Sequence, residues 1–303
     1  MNNQIRVRAF QWLEEQVRIY GNVLPRKILE QGFFFRGKRI TLIGPSGIWK
    51  PKYLDDAPIS ITTSPNGPYK DTFSKSGYLI YKYRGTDPFQ RDNVGLRNAM
   101  KNQIPLIYFH GIEPGKYYVT WPIYVVGDNV NQLSFEVVCD TQYSMLEKKI
   151  ELSNKDIFGE DATLYRKYVT REVKQRIHQS AFRERVLSAY DNQCAFCRLK
   201  HRKLLDASHI IPDSDIYGEP IVSNGLSLCK IHHAAFDKFF IGVTSEYKIM
   251  VRDDLLKERD GLMLKYGIQE LQGKQIILPQ NKKLRPDQNR LEKRYKDFEK
   301  HVI

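Results

Sequence analysis

Four residues in two short pairs constrain this chain more than any other feature. Cys194 and Cys197 form a CxxC pair, and Cys229 and His232 form a CxxH pair about 32 residues further on. Three thiolates and one imidazole at such spacing match the donor set of a tetrahedral structural zinc site. A disulfide is an alternative, but it leaves one of the three cysteines unpaired. A thioredoxin-like redox pair is another, yet no βαβ pattern surrounds it. The fourth cysteine, Cys139, stands alone in the apolar run SFEVVCD and reads as a small buried hydrophobe.

Length and charge come next. The 303 residues suggest two domains, each long enough to bury a core. The formal net charge is +13, which suits either a solvated surface or an anionic partner; charge alone does not choose between them. No apolar run approaches the roughly 18–20 residues that cross a bilayer, and the first residues, MNNQIRVRAFQWLEEQ, carry charges where a secretory signal is apolar. The expectation is a soluble, cytoplasmic protein with no membrane partner.

Hydrophobic patterning gives the organisation. Residues 5–20 have helical spacing, with a stop signal at Gly21, Asn22 and Pro25. From about 26 to 140 short apolar or aromatic runs such as ITLIG, YLIYKY and KYYVTWPIYVVG alternate with turn residues, which predicts a closed or strongly curved β-rich domain with a helical insert at 93–103. A helical connector begins near 143–152. Residues 161–190 form a Lys- and Arg-rich helix whose apolar face is Leu164, Tyr168, Val173, Ile177, Phe182, Val186 and Leu187. That helix could lie along phosphates or be a solvated face. The zinc-bearing region and basic terminal helices follow. The fold class is α+β, divided into an N-terminal helix (1–24), a β-rich domain (25–150), a helical connector (151–182) and a zinc-stabilised C-terminal domain with a basic helical tail (183–303).

Between the two zinc half-sites lies LLDASHIIPDSDIYGEPIVSNGLSLCKIHHAAFDKF. Together with FRERVLSAYDNQCAFC before it, this stretch resembles the HNH, or ββα-metal, nucleases over about 56 residues ending at Asp237. The resemblance implies that His209, near the end of the first strand, is a general base that takes a proton from water. It implies that Asn224 fixes the loop and the orientation of that base, and that His233, on the helix, ligates one catalytic divalent metal. Asp237 lies four residues after His233 on the same helical face and is a second candidate ligand. Many HNH enzymes place an acid or His just before the catalytic His; here it is Ser208, so Asp206, two residues back on the same strand face, is a further candidate. Oxygen-rich ligation suits magnesium or manganese.

The block from about Arg36 to Glu136, through GPSGIWKP, ISITTSPNGPYKD, YLIYKYRGTDP and RDNVGLR, resembles the SRA-like (SRA/PUA-like) domains that read modified bases in McrA-like modification-dependent restriction enzymes. Such domains hold a flipped cytosine between two aromatic rings while an acid reads its amino edge; stacking of about 1–3 kcal/mol per ring offsets the cost of extrusion. The resemblance implies Tyr69 and Tyr83 as the rings, with Tyr81 as the alternative to Tyr83, and Asp71 as the acid. Trp49, Lys50, Arg84, Arg91 and Asn93 are candidate DNA contacts. The expectation is a nuclease for double-stranded DNA carrying 5-methyl- or 5-hydroxymethylcytosine, used in restriction of phage or foreign DNA and acting as a homodimer because a double-strand cut needs two active sites or two visits. Rival readings are a nuclease whose first domain reads phosphorothioate or unmodified sequence, and a non-catalytic zinc-stabilised DNA-binding protein.

Overall fold

A computed structural model describes residues 1–55, 57–65, 72–74, 77–140, 160–259 and 261–301, the side chains of 72 and 160–167 excepted. The chain divides into two compact units, Met1–Ser180 and Ala181–Ile303.

The first unit opens with α1 (Asn2–Tyr20), which buries Ile5, Ala9, Trp12 and Leu13 along one stripe. Gly21, at φ 79°, ends it in a conformation that favours glycine. The strands are β1 (Val23–Pro25), β2 (Phe33–Phe35), β3 (Lys38–Ile40), β4 (Ile48–Trp49), β5 (Ser60–Thr63), β6 (Thr72–Phe73), β7 (Leu79–Lys82), β8 (Leu106–Glu113), β9 (Lys116–Asn129) and β10 (Ser134–Cys139). Two short helices, α2 (Arg26–Gln31) and α3 (Arg91–Lys101), interrupt them. Eight strands make one mixed sheet in the order β4-β5-β8-β9-β10-β7-β6, with β1 also pairing β9. Among the described residues the sheet curls as a half-barrel with β4 and β6 at its ends. β5 and β8 are parallel, so a crossover must join them, and β6, β7 and α3 lie within it. The core between α1 and the sheet holds Leu24, Leu42, Ile59, Ile107, Phe109 and Trp121. Cys139 is fully buried, in keeping with its reading as core, and its thiol is pushed up to about 12 by burial. The start of the connector at 143–152 lies outside the described residues.

Helix α4 (Glu160–Ala189) buries Val169, Val173 and Ile177. Tyr168, expected on the apolar face, is 60% exposed, and its hydroxyl donates to Glu172. The stripe runs i, i+4, i+8 through Val169, and Tyr168 falls beside it. No helix among the described residues is long and apolar enough to cross a membrane.

The second unit contains the end of α4, β11 (Leu205–His209), β12 (Gly225–Cys229), α5 (Lys230–Asp237), β13 (Ile241–Val243), β14 (Ile249–Val251), α6 (Asp253–Lys257), α7 (Leu262–Gly267) and α8 (Gln288–Glu299). β11 and β12 pair antiparallel from Leu205↔Cys229 to His209↔Gly225, and α5 follows without a loop. Phe182, Val186, Leu226, Leu228, Phe236 and Leu291 form the core that binds hairpin, helix and tail together.

Candidate active site

Strand alternation divides β11 into two faces. Leu205, Ala207 and His209 point one way, and Asp206 and Ser208 the other. The imidazole of His209 stacks on Phe182, with centroids 4.0 Å apart and planes 14° from parallel. Gly225, opposite His209 in the register, makes this possible. A Cβ there would lie 2.5 Å from Val186 Cγ2 and 2.9 Å from Phe182 Cζ. Nε2 of His209 is buried and has no hydrogen-bond partner among the described residues. Burial pushes the His209 pKa down, against a smaller upward pull from Asp213 and Asp237, so the ring favours its neutral form.

Asn224 is fully buried and pins the chain just after His209. Its Nδ2 donates to Ile211 O at 3.0 Å and Glu219 O at 3.0 Å, its Oδ1 accepts from Ile211 N at 2.9 Å, and its carbonyl accepts from Ile210 N at 2.9 Å. These bonds use both amide donors and one acceptor site, and they fix the chain just beyond the strand end that carries His209.

His233 lies half-buried between two carboxylates. Nε2 is 3.2 Å from Asp237 Oδ2, and Nδ1 is 3.8 Å from Asp206 Oδ2. The Asp206 and Asp237 carboxylates together outweigh burial and push His233 up to about 9. Ser208 Oγ donates to Asp237 Oδ1 at 3.3 Å, so the residue that replaces the common acid steadies the neighbouring one. Burial raises the Asp237 carboxyl, but His233, Arg294 and Ser208 together hold it below its ordinary value.

Asp206 is engaged by two cationic side chains as well as by His233. It accepts from Arg183 Nε at 3.2 Å and from Lys230 Nζ. Burial would raise its pKa, but His233, Lys230 and Arg183 hold it well below the usual carboxylate range. It faces the opposite ring edge of His233 from Asp237. Asp206, His233 and Asp237 do not form a three-donor cluster among the described residues. Asp206 thus faces Nδ1 of His233 while Asp237 faces Nε2. Arg183 and Lys230 are residues that the sequence reading missed; they lie 23 and 24 positions from Asp206 with no motif linking them.

The fit to a divalent ion rests on the remaining pair. Adjacent ligands of an octahedral magnesium at about 2.1 Å sit about 3 Å apart. The 3.2 Å between His233 Nε2 and Asp237 Oδ2 meets that spacing, and the mixed nitrogen and carboxylate donors suit magnesium or manganese.

The zinc quartet assembles beside a different face of α5, through His232. The ligand atoms of Cys194, Cys197, Cys229 and His232 all lie within 4.8 Å of one another. Cys197 Sγ is 4.0 Å from Cys229 Sγ, and His232 Nδ1 is 3.4 Å from Cys194 Sγ and 3.2 Å from Cys229 Sγ. A tetrahedral zinc with sulfur at 2.3 Å requires edges of about 3.8 Å, so the donors fit. His232 Nε2 donates to Gly267 O at 2.6 Å, which fixes the tautomer and leaves Nδ1 as the ligand atom. The knuckle closes through Arg198 N to Cys194 O and Cys194 N to Leu199 O, with Arg198 at φ 62°.

The residues expected to read a base fare differently. Tyr69 and Asp71 lie outside the described residues. Tyr81 and Tyr83 are buried at 5% and 1% exposure. The Tyr81 hydroxyl donates to Gly47 O, and the Tyr83 ring stacks on Phe135 with its hydroxyl on Asp128 and Arg97. Their faces are covered by the core and cannot sandwich a base as placed. Asn93 is fully buried and binds Arg84 N, Arg84 O and Asp87 O, holding the 84–87 turn to α3 instead of facing DNA. Trp49 donates to Thr41, and Lys50 reaches Asp55 O. Arg84 pairs with Asp92, and both Arg84 and Arg91 are exposed.

Comparison with known proteins covers part of the chain. No curated protein matches it. Among solved structures it is similar to the modification-dependent TagI restriction endonuclease, at 13% identity and a TM-score of 0.29 over 80% of this chain and 82% of that one. It is also similar to ScoMcrA, a Type IV phosphorothioation-dependent restriction endonuclease, at 15% identity and 0.21 over 58% and 45%. Residues 194–244 match the sequence model of the HNH endonuclease family, and they span the zinc quartet, His209, Asn224, His233 and Asp237. This stretch of the chain is an HNH endonuclease domain.

Proposed function

We propose that the protein is a metal-dependent endonuclease that hydrolyses phosphodiester bonds in double-stranded DNA containing modified cytosine, in restriction of foreign DNA. The observation that carries the catalytic part is the His233–Asp237 pair inside an HNH endonuclease domain, near enough to a rigidly held His209 for both charges to act on its ring. His209 takes a proton from the attacking water. Phe182 and Asn224 hold its ring and backbone, and Asp206 orients His233. A bound magnesium or manganese ion, held by His233 and Asp237, would supply electrostatic stabilisation of the phosphorane and of the leaving 3′ oxygen. Zinc held by Cys194, Cys197, Cys229 and His232 would keep β12 and α5 in register with the knuckle.

The first unit would select the DNA. Support for this comes from the sequence resemblance of its curled β domain to SRA-like readers. Tyr69 and Asp71 are the groups that would hold the base, and Arg84 and Arg91 would meet phosphates. Two copies acting together, in the cytoplasm, would cut both strands. The test is digestion of four matched plasmids: unmodified, 5-methylated, 5-hydroxymethylated and phosphorothioated. Cutting confined to the two modified-cytosine plasmids is the expected result. Equal cutting of all four would remove the reader, and cutting of the phosphorothioated plasmid alone would favour that linkage as the target.

A further inference from the structure

The HNH stretch ends at residue 244, yet the helix that carries Asp237 is closed by a residue 57 positions beyond Asp237. Arg294, on α8, is buried at 8% exposure. Its Nη2 donates to Phe236 O at 3.0 Å, which also accepts from Phe239 N, and to Asp237 O at 3.4 Å, at the C-terminal end of α5 where the helix dipole favours a cation. The guanidinium carbon lies 4.0 Å from the ring centre of Phe239 and 5.0 Å from that of Phe236. His301 also packs on Phe239, its ring stacked at 4.3 Å and 9°.

The clamp has work to do. Phe239 sits at φ 57°, in the left-handed region where glycine is the usual helix-ending residue. Lys238 N reaches Ala234 O and Phe240 N reaches Ala235 O, so the chain reverses within three residues of Asp237. A bulky side chain holds this conformation only where its surroundings over-determine it. Arg294 and His301 do so, and tight packing of Phe298 against Gly242, where a Cβ would come within 2.7 Å of the ring, fixes α8 in place.

We infer that Arg294 is a positioning residue for the ion-binding carboxylate, and that α8 is an integral part of the nuclease site. This rests on the reading of Asp237 as an ion ligand. Arg294 acts by fixing the end of α5, because its charge by itself would repel a divalent cation.

The opposing signs make the test decisive. Mn2+ binding to the full chain would be followed through the resonance of the free ion for wild type, Asp237→Asn, Arg294→Met and Arg294→Lys, with zinc content as the check on folding. Arg294→Met is expected to retain its zinc and to bind Mn2+ about tenfold more weakly, the low end for groups that support a ligand. Arg294→Lys, which keeps the charge without the planar fork, should recover part of that loss. Mn2+ affinity in Arg294→Met equal to or tighter than wild type, with Asp237→Asn weakened, would overturn the inference alone. Unchanged affinity in Asp237→Asn would instead overturn the ion site. Should Arg294→Met lose its zinc, Arg294→Lys decides: binding about threefold weaker than wild type supports the role, and equal binding overturns it.

Discussion

His232 and His233 are neighbours on one helix with the same side chain and opposite surroundings. His232 is buried at 3% exposure among three cysteines, and a backbone carbonyl takes up its second nitrogen. His233 is half-buried between two carboxylates, one of them Asp237, itself half-exposed. Successive helical residues are about 100° apart, so one helix can present a closed site to the core and an open one to solvent. A closed set of four protein donors makes a structural site, whereas two donors with room for water and phosphate make a reactive one. The difference lies in what faces each side of α5, since the ligand type is shared.

The sharpest way to break this contrast is to remove one donor from the closed site. Cys194→Ser should abolish tight zinc binding, measured as loss of about one zinc per chain by elemental analysis, and should unfold the second unit, since zinc-site energies of about 10 kcal/mol or more are comparable to a domain's whole net stability. Retention of a cooperative melt without zinc would show that the quartet is dispensable. Proton competition sharpens the contrast on the other side. His233, pushed up to about 9, carries a proton at neutral pH that an ion must displace. Mn2+ affinity should therefore rise with pH, approaching about tenfold per unit below the His233 pKa and levelling above it. A flat profile between pH 6 and 9 would mean that His233 is not a ligand.

The two sites were legible in the sequence to different depths. The zinc quartet and the His209, Asn224, His233 and Asp237 series are local patterns, read from spacing and resemblance along about 56 residues, and the fold brings each zinc donor to its partners. Strand alternation places Asp206 beside Ser208 but is silent on Arg183 and Lys230, which reach its oxygens. Alternation likewise put Tyr81 and Tyr83 on one face correctly, yet could not tell that this face is the core. Tyr168 and Val169 compete for one helical stripe, and a one-residue shift of period sent the tyrosine to solvent. Arg294 had no motif at all. Its partners are main-chain carbonyls far away in sequence, which leave no trace in residue type.

The most direct test of the account is plasmid cleavage by His209→Ala in magnesium or manganese, with zinc content and Mn2+ affinity measured on the same preparation. The account predicts loss of cleavage by about 10²–10⁴-fold, the usual contribution of a general base, with both metals bound as in wild type. Undiminished cleavage by a variant that keeps its zinc and binds Mn2+ normally would contradict the assignment of His209 as the base.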